Sequence, residues 1–382
     1  MKSLIVNRTD LKHNIKRIKE IAKDTGRLDN HKNIEIIGVV KGNGYGLGLV
    51  PYSKFLIDNG IDFLAVSTVE EAIQLREAKV QARILMLSST AVEKDVENLI
   101  QNDIILTVGS KESVEVVDKL SEKLNKKVKV HLKIDTGFGR YGFCFDEKEK
   151  IVEVLSKAKN IQIEGTFSHF TLAFFHNNKY SELQFKRFIN VIEYLKENKI
   201  ETGKLHICNS SGFLKFKDKR LNAVRIGSAF LGRLSIPNEY GLKRVGYLKS
   251  QVAEIKNMKK GNNIGYSNAY TLKKDSKVAI IPVGYADGFN VRDDRDMFRK
   301  LDRLRYIVRD FKDSPTDIYS CGERGTAVTD RLQSLIESSF MTATPRPSWI
   351  IPIAEISLAV LMRISGVRSY LLNKSIASES SP

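Results

Sequence analysis

One feature limits the possible folds more than any other: an alternation that runs through roughly the first 235 residues. Short apolar runs lie at Ile34–Val40, Phe63–Val66, Ile84–Leu87, Ile104–Val108, Val128–Ile134, Ile161–Phe167, Lys204–Cys208 and Ala223–Ile226. Each is too short for a buried helix and reads as a buried strand. Between them, apolar residues recur at helical spacing in Glu70–Ala78, Val92–Leu99, Lys111–Leu124, Glu147–Lys157 and Ser181–Glu197, with a shorter helix near Gly212–Phe216. Ahead of them, Asp10–Lys23 places Leu11, Ile15, Ile18 and Ile21 on one helical face, with Thr9 or Asp10 as its N-cap. Strands separated by helices need crossover connections and so form a parallel sheet. Eight such units predict an α/β fold: an eight-stranded parallel (β/α) barrel of the TIM type over residues 1–235. An open doubly wound sheet is the alternative, and the missing dinucleotide fingerprint after the first strand counts against it.

After Leu234 the pattern changes. Val245–Ile255 and Val278–Val283 read as strands with no amphipathic helix between them, punctuated by Gly, Asn and Pro. Residues 236–382 are therefore expected to form a second, smaller, β-rich domain. Past about Asp313 the composition shifts again. Lys374 is the only lysine after Lys312, Ser, Thr and Arg take over, and no period is visible. The expectation for this tail is an irregular or divergent segment, such as a shifted reading frame produces.

The chain has 382 residues, 42% of them hydrophobic, which suits a globular protein of two domains. No apolar run is long enough to span a bilayer, and the N-terminus lacks a signal-peptide core. Three scattered cysteines, Cys144, Cys208 and Cys321, fit a reduced cytoplasm and neither a disulfide framework nor a metal site. The net charge of +17 raises the question of nucleic acid. No recognition motif accompanies it, so a lysine-rich solvated surface is the expectation, with no nucleic-acid or membrane partner.

Chemistry is expected at the C-terminal ends of the strands. The first strand runs into Lys41-Gly42-Asn43-Gly44-Tyr45-Gly46. A desolvated lysine loses its proton more readily and becomes a nucleophilic amine, the chemistry of a Schiff-base lysine. The plainer reading is a snorkelling surface lysine on a tight turn. Other strand ends carry Lys133, Asp135 and, just beyond, Arg140; then Ser168-His169; His206 with Asn209-Ser210; and Arg225 with Gly227-Ser228. Gly212, Gly227 and nearby backbone N–H groups suit a phosphate. Taken singly, His169 reads first as a core histidine, Ser210 is equally a helix N-cap, and Asp135 could simply pair with Lys133 or Arg140. Taken together, they favour a cofactor site.

These stretches, with His131–Gly142, Gly265-Tyr266-Ser267 and Pro282–Gly288, closely resemble the alanine racemase family of fold-type III pyridoxal phosphate enzymes over roughly residues 1–290. The resemblance implies an isomerase that interconverts L- and D-alanine by two-base proton transfer, as a cytoplasmic homodimer with shared active sites. Lys41 would hold pyridoxal 5'-phosphate and act as one base. Tyr266 would be the other, reaching into the partner's site. Arg225 would face the pyridine nitrogen and His169 the ring, with Tyr45, Ser210, Gly227 and Ser228 on the phosphate. Arg140 would place the substrate carboxylate. Lys133, a carbamate in many family members, would orient Arg140, and His206 would lend support from behind. The departures are Leu47 where the family usually has histidine, no Met-Asp-Gln segment, and Leu358 in place of a late tyrosine. The competing readings are a non-catalytic pyridoxal-phosphate-binding paralogue and a racemase for another small amino acid such as serine.

Overall fold

In a computed structural model, residues 2–23, 34–265, 268, 270–287 and 349–352 are described. The chain divides into two compact units, Asn7–Val245 and Met1–Val6 with Gly246–Pro382. The first strand, β1 (Lys2–Val6), belongs to the second unit, where it pairs antiparallel with β11 (Gly246–Ser250).

The larger unit opens with α1 (Arg8–Lys23), whose Leu11, Ile15, Ile18 and Ile21 are buried as their spacing requires. Its cap is Asn7 and not the expected Thr9 or Asp10. Asn7 Oδ1 accepts the N–H groups of Thr9 and Asp10 at 3.0 and 3.1 Å, as a cap must for the second and third helical residues. Then follow β2 (Glu35–Val39), the single turn α2 (Lys41–Tyr45), α3 (Leu49–Asp58), β3 (Phe63–Val66), α4 (Val69–Glu77), β4 (Arg83–Ser89), α5 (Glu93–Gln101), β5 (Ile105–Val108) and α6 (Lys111–Lys123). The rest is β6 (Val128–Asp135), the short β7 (Phe143–Cys144), α7 (Lys148–Lys157), β8 (Ile161–Phe167), α8 (Lys179–Glu197), β9 (Lys204–His206), α9 (Ser210–Lys215) and β10 (Ala223–Ile226). Eight parallel strands pair in the order β10-β2-β3-β4-β5-β6-β8-β9. Between the two ends of that path, Asn222 N–H donates to Leu205 O and Arg225 N–H to Cys208 O, both at 3.0 Å. The sheet is thus nearly closed, the barrel that the alternation predicts. The sequence reading has no counterpart for α3, whose Pro51 sits in the first turn, where a missing N–H is tolerated.

Inside the barrel one wall is apolar: Ile37, Val39, Phe63, Ala65, Leu85, Ile105 and Ala223 form one cluster. The wall from β6 through β10 carries buried His131, Lys133, His206 and Arg225 instead. Alternate residues along a barrel strand face the axis, so Lys129, His131 and Lys133 of β6 occupy successive layers. The lowest layer is ionic. Glu35 binds Arg83 at 2.5 Å and Lys204 at 3.0 Å, and Lys129 pairs with Glu164 at 2.8 Å.

In the second unit, β12 (Glu254–Met258), β15 (Ser276–Ile281) and β16 (Trp349–Pro352) form an antiparallel sheet, and β13 (Asn263–Ile264) pairs with β14 (Tyr270–Thr271). Ile264, Leu272 and Val278 make its core. The run Val245–Ile255, expected as one strand, is split between β11 and β12, which lie in different sheets. Tyr266 and, β16 apart, the tail beyond Asp313 lie outside the described residues.

Candidate active site

The site begins with an inverted turn. Directly after Lys41, Gly42, Asn43 and Gly44 take φ values of +63°, +52° and +64°, followed by Tyr45 at +53° and Gly46 at +82°. Left-handed backbone is accessible to glycine and tolerated by asparagine, but costs a tyrosine about 1–3 kcal/mol. Neighbours hold it. Glu71 of α4 accepts Asn43 N–H at 3.1 Å through one oxygen and Ser67 N–H at 3.0 Å through the other. Asn43 Oδ1 in turn accepts Leu49 N–H at 2.8 Å. The turn delivers the Tyr45 hydroxyl onto Gly227, where any Cβ would collide with it. Enclosure pushes the Tyr45 phenol well above its ordinary range, so it stays a protonated donor.

Ser210 joins the same point. Asn209, not Ser210, caps α9, accepting Gly212 N–H at 2.9 Å. That frees the Ser210 hydroxyl to accept Gly227 N–H at 3.1 Å and Ala229 N–H at 3.3 Å. Ser228 follows Gly227 at the start of a short turn, Ser228–Leu231. Serine and tyrosine hydroxyls thus converge with backbone donors.

Deeper in, Arg225 is 3% exposed and binds only neutral acceptors among the described residues. Its donors reach Ser168 O at 2.6 Å, His206 Nδ1 at 2.6 Å, His169 Nδ1 at 3.1 Å and Ile207 O at 3.2 Å. Burial lowers its pKa to about 10, so it remains a cation at neutral pH. Because arginine only donates, His169 Nδ1 must accept, and Asn209 Nδ2 lies 3.4 Å from the ring's Nε2.

Arg140 rides on a loop moulded around one carboxylate. Asp135 forms no side-chain ion pair with Lys133 or Arg140. It accepts the backbone N–H groups of Gly137, Phe138, Gly139 and Arg140 at 2.7–3.2 Å. From α8, Tyr180 donates to Gly137 O at 2.9 Å, Arg187 to Thr136 O at 3.0 Å and Gln184 to His169 O at 3.1 Å. Sequence reasoning missed these three, although positions 180, 184 and 187 share one helical face. It also missed Glu71. A narrow groove lined by Lys133, Asp135, Phe138, Arg140, Tyr141 and His169 opens here. A roomier cavity, about 400 Å³, lies at the opposite end of β2 beside Lys19, Glu35 and Asp62, and holds none of the expected residues.

The electrostatics are lopsided. Lys41, Lys133, Arg140 and Arg225 act on one another, with Glu71 and Asp135 as the opposing charges. Burial, then Arg140 and Arg225, lower the Lys41 pKa. Burial and Arg225 hold Lys133 well below the usual lysine range. Both amines are therefore more nucleophilic than a surface lysine. Such a mouth fits an anionic aldehyde: an amine to react, hydroxyls and N–H groups for a phosphate, and a fixed donor for a ring nitrogen. Among the described residues, no cluster of three or more His, Cys, Asp or Glu could hold a metal, and no helix is long and apolar enough to cross a membrane.

A nearly closed parallel barrel with its reactive groups at the C-terminal mouth, and an appended β unit, places this chain in the class of (β/α)8-barrel enzymes. Residues 6–235 match the alanine racemase N-terminal domain and residues 245–303 the alanine racemase C-terminal domain. The chain belongs to the alanine racemase family. It is 38% identical over 286 residues to the alanine racemase of Clostridium tetani, covering 73% of this chain and 71% of the relative. With alanine racemase 2 of Caldanaerobacter subterraneus subsp. tengcongensis it is 33% identical over 291 residues, 75% of this chain and 72% of that one. The crystal structure of the Bacillus anthracis alanine racemase, solved with bound L-Ala-P, superposes with a TM-score of 0.70 at 28% identity, over 92% of this chain and 82% of that one.

Proposed function

We propose that this protein is a cytoplasmic, pyridoxal-phosphate-dependent racemase that interconverts L- and D-alanine. The observation that carries the reading is Arg225. A buried permanent cation, bonded only to neutral acceptors and set beside His169, shares one field with a lysine of weakened basicity. When bound, pyridoxal phosphate supplies the electron sink that makes an amino acid's α-proton removable. Lys41 holds the cofactor. Tyr45, Ser210 and the Gly227–Ser228 backbone take its phosphate, Arg225 faces its ring nitrogen, and His169 packs beside the ring. An arginine keeps its proton, so Arg225 would leave that nitrogen unprotonated and the sink weak, which would restrict side reactions. Arg140 seats the substrate carboxylate.

Racemisation needs bases on both faces of one carbon. Lys41 serves one face and Tyr266, supplied by a second copy of the chain, serves the other. Exposed Phe174 and Phe175, at 42% and 48%, support a covered surface on the barrel and hence a homodimer. A neutral Lys133 amine can take up carbon dioxide, and the resulting carbamate would orient Arg140. We also propose that the tail past about 313 departs from the family; the C-terminal family match ends at residue 303. Resequencing the gene or intact-mass measurement tests this, and an uninterrupted frame with family-like β packing in the tail would refute it.

The decisive experiment loads the purified full chain with pyridoxal phosphate and follows the optical rotation of L-alanine. Racemisation by wild type and none by Lys41→Ala is expected. Cofactor binding without turnover would leave the non-catalytic paralogue, and faster turnover of serine would reassign the substrate.

A further inference from the structure

Behind Arg225 the hydrogen bonds do not stop. His206 Nδ1 lies 2.6 Å from Arg225 Nη1, and His206 Nε2 lies 2.9 Å from His131 Nδ1. All three side chains are buried, His131 at 2% exposure and His206 at 0%. The role suggested for His206 from sequence ends at His206. His131, two residues before Lys133 on the same face of β6, has no role assigned.

The donor logic along this chain has one solution. Arginine only donates, so His206 Nδ1 must be a bare acceptor. A neutral His206 then carries its proton on Nε2 and donates it onward. His131 Nδ1 must accept, and the His131 proton sits on its own Nε2. Burial, with Arg225, drives His131 down to about 3 and holds His206 well below its ordinary range, so both rings are neutral at working pH.

We propose that His131 is a positioning residue for Arg225: a buried acceptor that locks the tautomer of His206, and through it the direction of the guanidinium. Aromatic rings pack around the histidine pair. Phe167 stacks on its ring at 4.9 Å with an interplanar angle of 4°, and Phe63 meets the edge of His131 at 6.0 Å. Gly165 makes the room: a Cβ there would lie 2.7 Å from His131 Cε1. Without the His131 acceptor, the His206 Nε2–H is buried and unpaired. The other tautomer relieves that, but aims an Nδ1–H at Arg225, donor against donor, and turns the guanidinium away. The functional half of this inference rests on reading Arg225 as the donor to the pyridine nitrogen; the tautomer half does not.

Histidine-selective ¹⁵N labelling of the cofactor-free full chain, read by long-range ¹H–¹⁵N correlation, tests the lock directly. Pyridine-like Nδ1 and pyrrole-like Nε2 are expected on both His131 and His206. A pyrrole-like Nδ1 on either ring in the wild-type protein overturns the proposal. His131→Asn places an acceptor oxygen where Nδ1 stood, so it should keep the His206 tautomer and bind pyridoxal phosphate within about threefold of wild type. His131→Leu should move the His206 proton to Nδ1, shift the visible band of the bound cofactor, and weaken binding about tenfold. A folded leucine variant with an unchanged His206 tautomer also overturns it. Should that variant not fold, the wild-type pattern and the asparagine variant decide. Normal tautomers in a chain that does not bind pyridoxal phosphate would sink the cofactor reading and leave the lock standing.

Discussion

At the scale of single residues, the site depends on small ones that let large ones approach. Gly227 is the sharpest case, because the Tyr45 hydroxyl occupies the space of its missing side chain. Gly227→Ala should cost about 1–3 kcal/mol through overpacking. It should also displace Tyr45 from the proposed phosphate cradle. Thermal melting and a pyridoxal phosphate titration measure the two effects, and unchanged affinity would remove Tyr45 from the cradle. Lys41, Arg225 and His169 were legible in the sequence because each ends or follows a strand, where a charged or imidazole side chain is out of place. Glu71 was not. It is a half-buried glutamate in the first turn of an ordinary helix, and only the fold shows that its two oxygens hold Asn43 and Ser67. Ser210 lies just after β9, as the sequence reading has it, but Asn209 and not Ser210 caps the helix.

Among the elements, the β6–β7 loop shows how one carboxylate can set a structure. Asp135→Asn keeps one acceptor oxygen of two and loses the charge that four N–H groups share. A cost of about 1.5–3 kcal/mol follows from weakened charge-assisted bonds. Because Arg140 rides on this loop, the KM for L-alanine should rise about tenfold while pyridoxal phosphate affinity holds. Equal losses in both would mean that the loop supports the whole barrel. The eight strands and most helices were legible because burial imposes period on them. Strand β1 and helix α3 were missed for a local reason. The first is five residues without alternation, and the second begins inside the glycine-rich segment with a proline in its first turn.

For the whole molecule, the barrel has a charged base as well as a charged mouth. Burial opposes ionisation of Glu35, but Arg83 and Lys204 outweigh it and hold its pKa below the ordinary carboxylate range. A depressed carboxylate stabilises the fold fully above its unfolded value, and that contribution is lost as pH drops through the folded one. Glu35→Gln should therefore lower stability by about 1 kcal/mol at pH 7. Urea melts should show the gap closing at pH values under about 4.5. A gap that persists in acid would assign the effect to packing. The composition of the barrel's polar wall was not legible as a wall. His131 and Lys133 lie on a strand far from those of His206 and Arg225 in the chain, and closure of the sheet is what brings β10, with Arg225, beside β9.

Lys41, Arg140 and Arg225 crowd one mouth with too few opposing charges. Like charges at close range resist compaction, so the chain is at its least stable before an anionic guest arrives. Low millimolar inorganic phosphate should raise the melting temperature by about 2–4 °C over chloride at matched ionic strength. Pyridoxal phosphate should raise it further; identical curves in all three would argue that solvent already screens the mouth. Newly made copies that outpace the vitamin supply are then the ones a protease reaches first.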